Sequence, residues 1–398
     1  EVFDFGVMSE GEISFTSLAV ALAMGESELS CRIDGVVYPN KKTREVVVNP
    51  WEPPENLSLL PYPDFESIHG FKFDKFCYPI VSSRGCPYSC IYCCVNLLTG
   101  SKKWRARTPE NIVEELTLVK EKFGVDQFEF WDDNFTLDMK RAKKFCRLLI
   151  DSGLSFSWWC HNGIRADKIA EELAGLMRAA GCTSVAFGIE SGTPRVFDSI
   201  QKGEKLDDCV RAVQLLKNAG IKAVGYFIIG LPEDTLNSFI ETVRFQRSLG
   251  LDHYTFGLLV PYPGTKVWDI VQDDGRFLQD VTDSQHFSSD LPEISFELEN
   301  FPPRDITTAY YISRFFELYE SVEKILDQKA NATSHFCSMK QMASGVPSGC
   351  FIRFFHLKIE LTLRSFLINC SIPPLMMRIS GRLQNLLNIR LFAPRVNF

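Results

Sequence analysis

Three closely spaced cysteines are the residues in this sequence best suited to chemistry. Cys86, Cys90 and Cys93 have the spacing C-x3-C-x2-C, within the run SRGCPYSCIYC at residues 83–93. Soft thiolate ligands select iron–sulfur clusters or zinc. A structural zinc takes a fourth ligand, and Cys94 is a poor candidate because consecutive side chains point apart. Three thiolates can instead hold three irons of a [4Fe–4S] cluster, leaving the fourth iron open to a substrate or cofactor.

The composition limits the class of protein. With 398 residues, 45% of them hydrophobic and 23% charged, the chain has the composition of a globular protein with a large core. The net charge of -7 gives no reason to expect nucleic acid as a partner. Thirteen cysteines, an odd number with four in residues 86–94, do not resemble a disulfide framework. We therefore expect a reducing, cytoplasmic location and a metal site.

Short β-rich runs alternate with amphipathic helical stretches from residue 79 to residue 260. Six such runs and five helices between them predict βαβ units and a parallel sheet. The rhythm has no break of the kind that marks a doubly wound sheet, so the fold class is α/β, with a partial (β/α)6 barrel. In such folds the chemistry takes place at the carboxyl ends of the strands.

Three domains are expected along the chain. Residues 1–67 end in a proline-rich linker, residues 68–285 form the core barrel, and residues 286–398 form a mostly helical region. Residues 345–398 are apolar and basic. A helical cap with solvated arginines is the plainer interpretation, and peripheral contact with a membrane or a lipophilic substrate is the alternative.

The cysteine motif resembles that of the radical S-adenosylmethionine (SAM) superfamily. Gly85, Pro87 and Tyr92 fit one of its large branches. The resemblance implies that the three cysteines ligate a [4Fe–4S] cluster and that its open iron binds SAM. Electron transfer into SAM then releases a 5′-deoxyadenosyl radical, and Tyr92 belongs to the cofactor site.

Later strand ends resemble segments of the branch that carries an N-terminal cobalamin-binding domain, which includes hopanoid methylases and the anaerobic magnesium-protoporphyrin ester cyclase. Asp132 and Asp133 lie in an acidic turn after the second strand, where one of them would take the SAM amino group. Asn162–Asp167 follows the third strand, and Arg165 in it would pair with the SAM carboxylate. A helix-capping role for the two aspartates is the alternative.

The fourth and fifth strands end in two further segments of this kind. Glu190 and Ser191 would face the ribose or methionine end of SAM. Ile228 would pack on adenine, and Gly230 would allow close approach of the backbone. No side chain is assigned as a catalytic residue.

The cobalamin domain itself is mostly missing. Residues 9–12 (SEGE) resemble the "GEGE" segment at the end of that domain, with Ser9 in place of Gly. The sequence begins with Glu inside an apolar run, and we find no D-x-H-x-x-G segment before residue 9. We therefore expect a remnant of the Rossmann-like domain. If the sequence is a fragment, its full protein is expected to bind cobalamin; if it is the whole protein, cobalamin binding is not implied.

The resemblance leads to a cobalamin-dependent methylase of an unactivated carbon. Two alternatives stay open: a radical SAM cyclase or oxidoreductase acting on a porphyrin-like or lipophilic substrate, and a truncated, non-catalytic iron–sulfur protein. The expected partners are a small-molecule substrate and a reductant protein such as flavodoxin or ferredoxin.

Overall fold

The computed structural model describes residues 3–26, 32–40, 42–43, 45–68, 77–280, 293–317 and 319. The chain forms two compact units, Glu1–Tyr310 and Tyr311–Phe398. In the second unit residues 311–317 are helical. The predicted division at residues 67 and 285 stays a prediction, and the basic segment 345–398 lies outside the described residues.

The first unit contains all the elements named here. The strands are β1 (Gly6–Val7), β2 (Val36–Pro39), β3 (Val46–Val48), β4 (Tyr78–Ile80), β5 (Ser83–Arg84), β6 (Arg105–Ala106), β7 (Gln127–Phe130), β8 (Ser157–Cys160), β9 (Cys182–Glu190), β10 (Lys222–Ile229), β11 (His253–Leu258), β12 (Gly275–Phe277) and β13 (Phe296–Leu298). The helices are α1 (Glu12–Ala23), α2 (Val95–Leu98), α3 (Pro109–Phe123), α4 (Met139–Asp151), α5 (Glu171–Ala179), α6 (Pro194–Ser199), α7 (Leu206–Asn218), α8 (Leu236–Leu249) and α9 (Lys266–Asp274). Among the described residues, no helix has both the length and the apolar character needed to cross a membrane.

Six strands form one parallel sheet in the order β11-β10-β9-β8-β7-β4. Each strand pairs with the next β-rich run of the sequence, as the strand–helix rhythm predicts. The sheet is open, with β4 and β11 at its edges, so within the described chain it is a partial barrel and not a closed one. The α/β fold class expected from the sequence is confirmed.

The two faces of this sheet differ in chemistry. The outer face packs on the helices: Phe128 and Phe130 of β7 lie edge-on to Phe145 of α4, with ring centres 6.4 and 5.2 Å apart. On β11, Phe256 packs on Phe239 of α8 in the same way. The inner face carries the alternate residues of each strand, and several of them are polar and partly exposed. We call this face, which lies opposite the helices, the concave side of the partial barrel.

A small antiparallel sheet, in the order β1-β2-β3, precedes the parallel sheet along the chain. Helix α1 follows β1 along the chain. Two short hairpins, β5–β6 and β12–β13, have no counterpart in the predicted rhythm. Both consist of strands of only two or three residues, which are too short to show a hydrophobic period.

Candidate active site around the cysteine loop

The three cysteines lie on a loop, residues 85–94, that joins β5 to α2. Three separate elements fix its backbone. The N–H of Gly85 donates to Oδ2 of Asp133 at 2.7 Å, and that aspartate follows β7. The N–H of Ile91 donates to the carbonyl of Ile200 (3.1 Å), while the carbonyl of Ile91 accepts from Val267 at the start of α9 (3.0 Å). These three contacts fix the backbone path of the loop without involving the cysteine side chains.

Gly85 is required by the path of the backbone. Its φ is +85°, and a Cβ at this position would lie 2.5 Å from the carbonyl oxygen of Lys103. A residue with a side chain would meet both left-handed strain and a clash with main chain. This explains in physical terms why a glycine precedes the first cysteine of the motif.

The environment of the thiols fits a cluster. All three cysteines are partly exposed and none forms a disulfide. Burial raises the pKa of Cys90, and it raises that of Cys93 to about 11, so these two thiols favour the protonated form where no cation lies beside them. The amide nitrogen of Asn134 lies 3.8 Å from Sγ of Cys86, and its Oδ1 is buried without a hydrogen-bond partner.

The described residues contain no group of three His, Cys, Asp or Glu side chains placed to hold a single metal ion. A cubane cluster does not need such convergence, because each thiolate ligates its own iron. The spacing and burial of the cysteines are therefore compatible with a [4Fe–4S] cluster held by Cys86, Cys90 and Cys93.

Asp132 is bound to residues just before the same loop. It is 1% exposed. Its carboxylate accepts hydrogen bonds of 2.6 Å from the N–H and the hydroxyl of Ser82 and from the hydroxyl of Ser83. Burial raises its pKa, although the nearby guanidinium of Arg141 acts in the opposite direction. Asp132 and Asp133 thus hold the backbone that leads into the cysteines, and a contact with the SAM amino group stays a prediction for both.

Beside the loop lies a buried network of charged side chains. Oε1 of Glu190 accepts a hydrogen bond of 2.8 Å from the hydroxyl of Tyr92 and lies 3.2 Å from Nζ of Lys202. Lys202 in turn lies 3.3 Å from Oε2 of Glu204 and also donates to the carbonyl of Gly188. Burial acts to lower the pKa of Lys202, but Glu190 and Glu204 outweigh it and the pKa is raised. The ammonium therefore stays charged.

The backbone at Glu190 is strained. Its φ of +66° is in the left-handed region, which a residue with a side chain seldom occupies. Such outliers persist only where the surroundings enforce them, and they concentrate at functional sites. Here the strain turns the end of β9 so that the carboxylate meets the cysteine loop.

Arg165 connects the network to a second tyrosine of the loop. Its guanidinium lies 3.6 Å from the ring centre of Tyr88, which is a cation–π contact. It also donates to Asp167 (3.0 Å) and to the carbonyl of Lys202 (2.8 Å), and lies 3.6 Å from Glu204. Nη2 is buried and has no hydrogen-bond partner. The predicted pairing with the SAM carboxylate would use this nitrogen, and it stays a prediction.

The remaining predicted site residues lie on two sides of the sheet. The Ser191 hydroxyl is 3.1 Å from that of Thr242 in α8, so it contacts the helix layer. Ile228 and Tyr92 pack against one apolar cluster, which includes Ile91. Gly230 has a φ of +98°, and a Cβ there would meet nothing closer than 3.6 Å, so its conformation and not space selects glycine. These roles toward SAM also stay predictions.

The N-terminal segment is attached to the base of the cysteine loop. Arg84 of β5 and Arg105 of β6 are opposite each other in the hairpin, and Glu10 binds both. Glu12 adds a second contact of 2.6 Å to Arg84. Ser9, with φ +49°, donates its hydroxyl to the carbonyl of Leu98. The positive φ explains why glycine suits this position.

Sequence reasoning missed Lys202, Glu204 and Asn134. Lys202 and Glu204 flank Gly203 in a loop with no recognisable period, and three charged residues within residues 202–205 are the only signal that could have marked them. Asn134 stands directly after the two aspartates of the acidic turn. Its link to Cys86 depends on a tertiary contact that no local pattern reveals.

Residues 80–245 match the family described as the radical SAM superfamily. This range begins in β4, just before the cysteine loop, and ends within α8. The chain therefore contains a radical SAM domain. Members of this superfamily use a [4Fe–4S] cluster and SAM. The radical SAM domain therefore contains the cysteine loop, the charged network, the last residue of β4 and all the strands from β5 to β10.

Several relatives are enzymes by name. The uncharacterized methyltransferase PH0819 of Pyrococcus horikoshii is 34% identical over 67% of this chain and 57% of that protein. The anaerobic magnesium-protoporphyrin IX monomethyl ester cyclase of Rubrivivax gelatinosus is 28% identical, over 67% and 49%. The bacteriochlorophyllide d C-12(1)-methyltransferase of Chlorobaculum tepidum is 30% identical, over 62% and 55%. The radical SAM chain thus spans about half the length of these three relatives.

Solved structures share the fold. TsrM from Kitasatospora setae, a radical SAM methyltransferase, superposes with a TM-score of 0.58 at 20% identity, over 68% of this chain and 54% of that one. The cobalamin-dependent SAM radical enzyme OxsB superposes with a TM-score of 0.53 at 20% identity, over 67% and 38%. At this identity the likeness shows a common fold.

Proposed function

We propose that this chain is the radical SAM part of a cobalamin-dependent enzyme that methylates an unactivated carbon. Cys86, Cys90 and Cys93 would hold a [4Fe–4S] cluster, which supplies the electron that cleaves SAM to a 5′-deoxyadenosyl radical. The observation that carries the proposal is the attachment of the cysteine loop. Its backbone and both of its tyrosines are held by strand ends of the sheet and by a buried charge network.

The residues around the loop suit the parts of SAM. The unpartnered Nη2 of Arg165 is a buried donor that matches a carboxylate. Ile228 offers a partly exposed apolar surface and Gly230 turns the backbone at the end of β10 with a φ of +98°, which suits adenine. Glu190 lies between Tyr92 and Lys202 and can accept from a hydroxyl or an amino group.

The N-terminal segment is the part of the structure that supports a role for cobalamin. Glu10 and Glu12 lie in the segment that resembles the end of a cobalamin-binding domain. Their ion pairs with Arg84 and Arg105 would fix such a domain beside the cysteine loop. Relatives named as methyltransferases favour methylation over other radical reactions.

SAM cleavage is the first test. The full-length protein is loaded anaerobically with iron and sulfide, reduced with dithionite and given SAM, and 5′-deoxyadenosine is measured by mass spectrometry. We expect product from the wild type and none from Cys86→Ala, Cys90→Ala or Cys93→Ala. Cys94→Ala is the matched control and should keep activity. No product from a well-loaded cluster would favour the non-catalytic iron–sulfur alternative.

The fate of the SAM methyl group separates the two enzymatic alternatives. A cobalamin-dependent methylase consumes one SAM to make the radical and a second to remethylate cobalamin, so S-adenosylhomocysteine should form together with 5′-deoxyadenosine. A cyclase or oxidoreductase, which the similarity to the ester cyclase of R. gelatinosus leaves open, would form 5′-deoxyadenosine alone. The assay uses cobalamin-loaded protein and a small-molecule extract of the host.

The cellular setting follows from the same chemistry. A cluster that cleaves SAM needs a low-potential electron donor, so we include a flavodoxin- or ferredoxin-like reductant as partner and the cytoplasm as location. The substrate is a small molecule.

Peripheral membrane contact through residues 345–398 is a further part of the proposal. Flotation with anionic liposomes tests it, and an unchanged result after deletion of that segment would count against it.

A further inference from the structure

Polar and aromatic side chains lie on the inner face of the parallel sheet. Glu129 of β7, Trp159 of β8 and Tyr226 of β10 point away from the helices and are partly exposed. Glu129 and Trp159 are register partners on neighbouring strands. Parallel strands that are covered on both faces usually carry apolar residues on both of them. In this sheet the outer face is apolar, but the inner face is not. A carboxylate is unusual on such a face, and this one is partly open to a ligand on the concave side.

Contacts on both sides hold the Glu129 carboxylate in place. Its Oε2 accepts a hydrogen bond of 3.1 Å from the indole nitrogen of Trp131. Its Oε1 lies 3.4 Å from Nδ1 of His161, whose Nε2 is 3.1 Å from the hydroxyl of Ser184. The side chain of Glu129 is 20% exposed, so part of it stays open to the concave side.

The charge of this carboxylate has no permanent counter-ion. Burial lowers the pKa of His161, against the effect of Glu129, so the imidazole is mostly neutral at neutral pH. Within the described part of the chain, His161 is also the one side chain found at ion-pair distance from Glu129. Trp131, next to it, is 56% exposed. A carboxylate beside aromatic faces is the arrangement that binds organic cations.

We propose that Glu129, Trp131, Trp159, His161 and Tyr226 form a substrate subsite, here called the inner-face subsite, which binds a cationic nitrogen such as an amino group. Glu129 supplies the counter-charge and the rings enclose the alkyl groups around the nitrogen. The inference rests on the proposed function, because it assigns the concave side of the sheet to the substrate. It makes the substrate an amine.

Binding of a model cation tests the subsite without any turnover. The cluster-loaded full-length protein is titrated anaerobically, by calorimetry, with 2-phenylethylammonium and with 2-phenylethanol, a neutral molecule of similar shape. We expect the cation to bind at least about tenfold more tightly than the alcohol, the ratio that one charge-assisted contact provides. Glu129→Gln should remove this preference. Glu121→Gln, on the exposed side of α3, is the matched control and should keep it.

A second variant keeps the test decisive if Glu129→Gln folds poorly. Trp131→Leu changes an exposed side chain, and we expect it to weaken cation binding about twofold to fivefold while leaving binding of the alcohol unchanged. Equal affinity for cation and alcohol in the wild type would overturn the proposal. So would displacement of the cation by SAM together with an equal loss of SAM affinity in Glu129→Gln, because the subsite would then bind SAM itself. If the wild type binds the cation but does not cleave SAM, the proposed function is refuted and the inner-face subsite is not.

Discussion

The hydroxyl of Tyr92 donates a hydrogen bond of 2.8 Å to Oε1 of Glu190, across 98 residues of sequence. This bond joins the cysteine loop to the end of β9, where the backbone of Glu190 is strained. Lys202 holds the same carboxylate from the other side. The position of the third cysteine therefore depends on a charge network from outside the loop.

Removal of this hydroxyl should loosen the loop. Tyr92→Phe keeps the ring but removes the donor, which we expect to cost about 1 kcal/mol of folding free energy. Loaded protein should also release iron faster to a ferrous chelator, because the loop opens more often. Tyr262→Phe changes a tyrosine that is 41% exposed and serves as the control. Equal rates of iron release in the two variants would show that the bond does not position the loop.

Lys202 should be the most costly single residue of the network to remove. Lys202→Met leaves Glu190 and Glu204 buried without their cation, and losses of about 3–5 kcal/mol are typical of such broken pairs. Urea unfolding of the cluster-free protein measures the change. Lys140→Met, on the exposed side of α4, should stay within about 0.5 kcal/mol of the wild type. A loss below 1 kcal/mol in Lys202→Met would mean that the network is solvated.

The two glutamates of the N-terminal segment should differ in how much they contribute to the free energy of unfolding. Glu10 and Arg105 have side-chain exposures of 8% and 2%, so Glu10→Gln leaves a buried guanidinium poorly paired and should cost about 3 kcal/mol or more. Glu12 and Arg84 are 37% and 25% exposed, and Glu12→Gln should cost about 1 kcal/mol or less. Chemical unfolding of both variants gives the comparison. Equal losses would contradict the assignment of Glu10 as the main anchor.

The buried carboxyl group of Asp234 should make the free energy of unfolding decrease as the pH rises between about 4 and 6. Burial raises its pKa from 3.8 to about 6, although hydrogen bonds from Ser238, Gly230 and Thr235 act to lower it. Between about pH 4 and pH 6 the folded protein therefore retains a proton that the unfolded chain has released, so its contribution to the free energy of unfolding decreases with pH. The free energy of unfolding, measured by chemical unfolding at several pH values, should depend less on pH in this window in Asp234→Asn. Asp207→Asn changes an exposed residue and should leave that dependence unchanged.

Features that depend on short segments of the chain could be predicted from the sequence, and contacts between distant segments could not. The cysteine spacing and the strand–helix rhythm are properties of short segments, and both predicted the correct loop and the correct sheet order. The partners of Glu190 could not be predicted, because Lys202 lies in an irregular loop and Tyr92 is distant in sequence. Asp132 illustrates the same limit. Its position after β7 was clear, but its hydrogen bonds to Ser82 and Ser83 exist only in the folded sheet.

The inner face of the sheet shows a different limit. Alternation along β7 separates Glu129 from Phe128 and Phe130, yet a single polar residue in a short strand is as easily read as a solvated edge. Its meaning appears only when β8 and β10 bring Trp159 and Tyr226 to the same side. Binding sites on the concave side of a sheet are assembled from strands far apart in sequence, which one sequence alone does not reveal.

Electron paramagnetic resonance of the reduced protein, with and without SAM, tests the central claim most directly. We expect iron and acid-labile sulfide in about equal amounts, as in a [4Fe–4S] cluster. The spectrum of the reduced cluster should change on addition of SAM, because three cysteine ligands leave one iron free to bind it. Cys94→Ala should behave like the wild type. Zinc without sulfide, or a cluster spectrum that SAM leaves unchanged, would contradict the account.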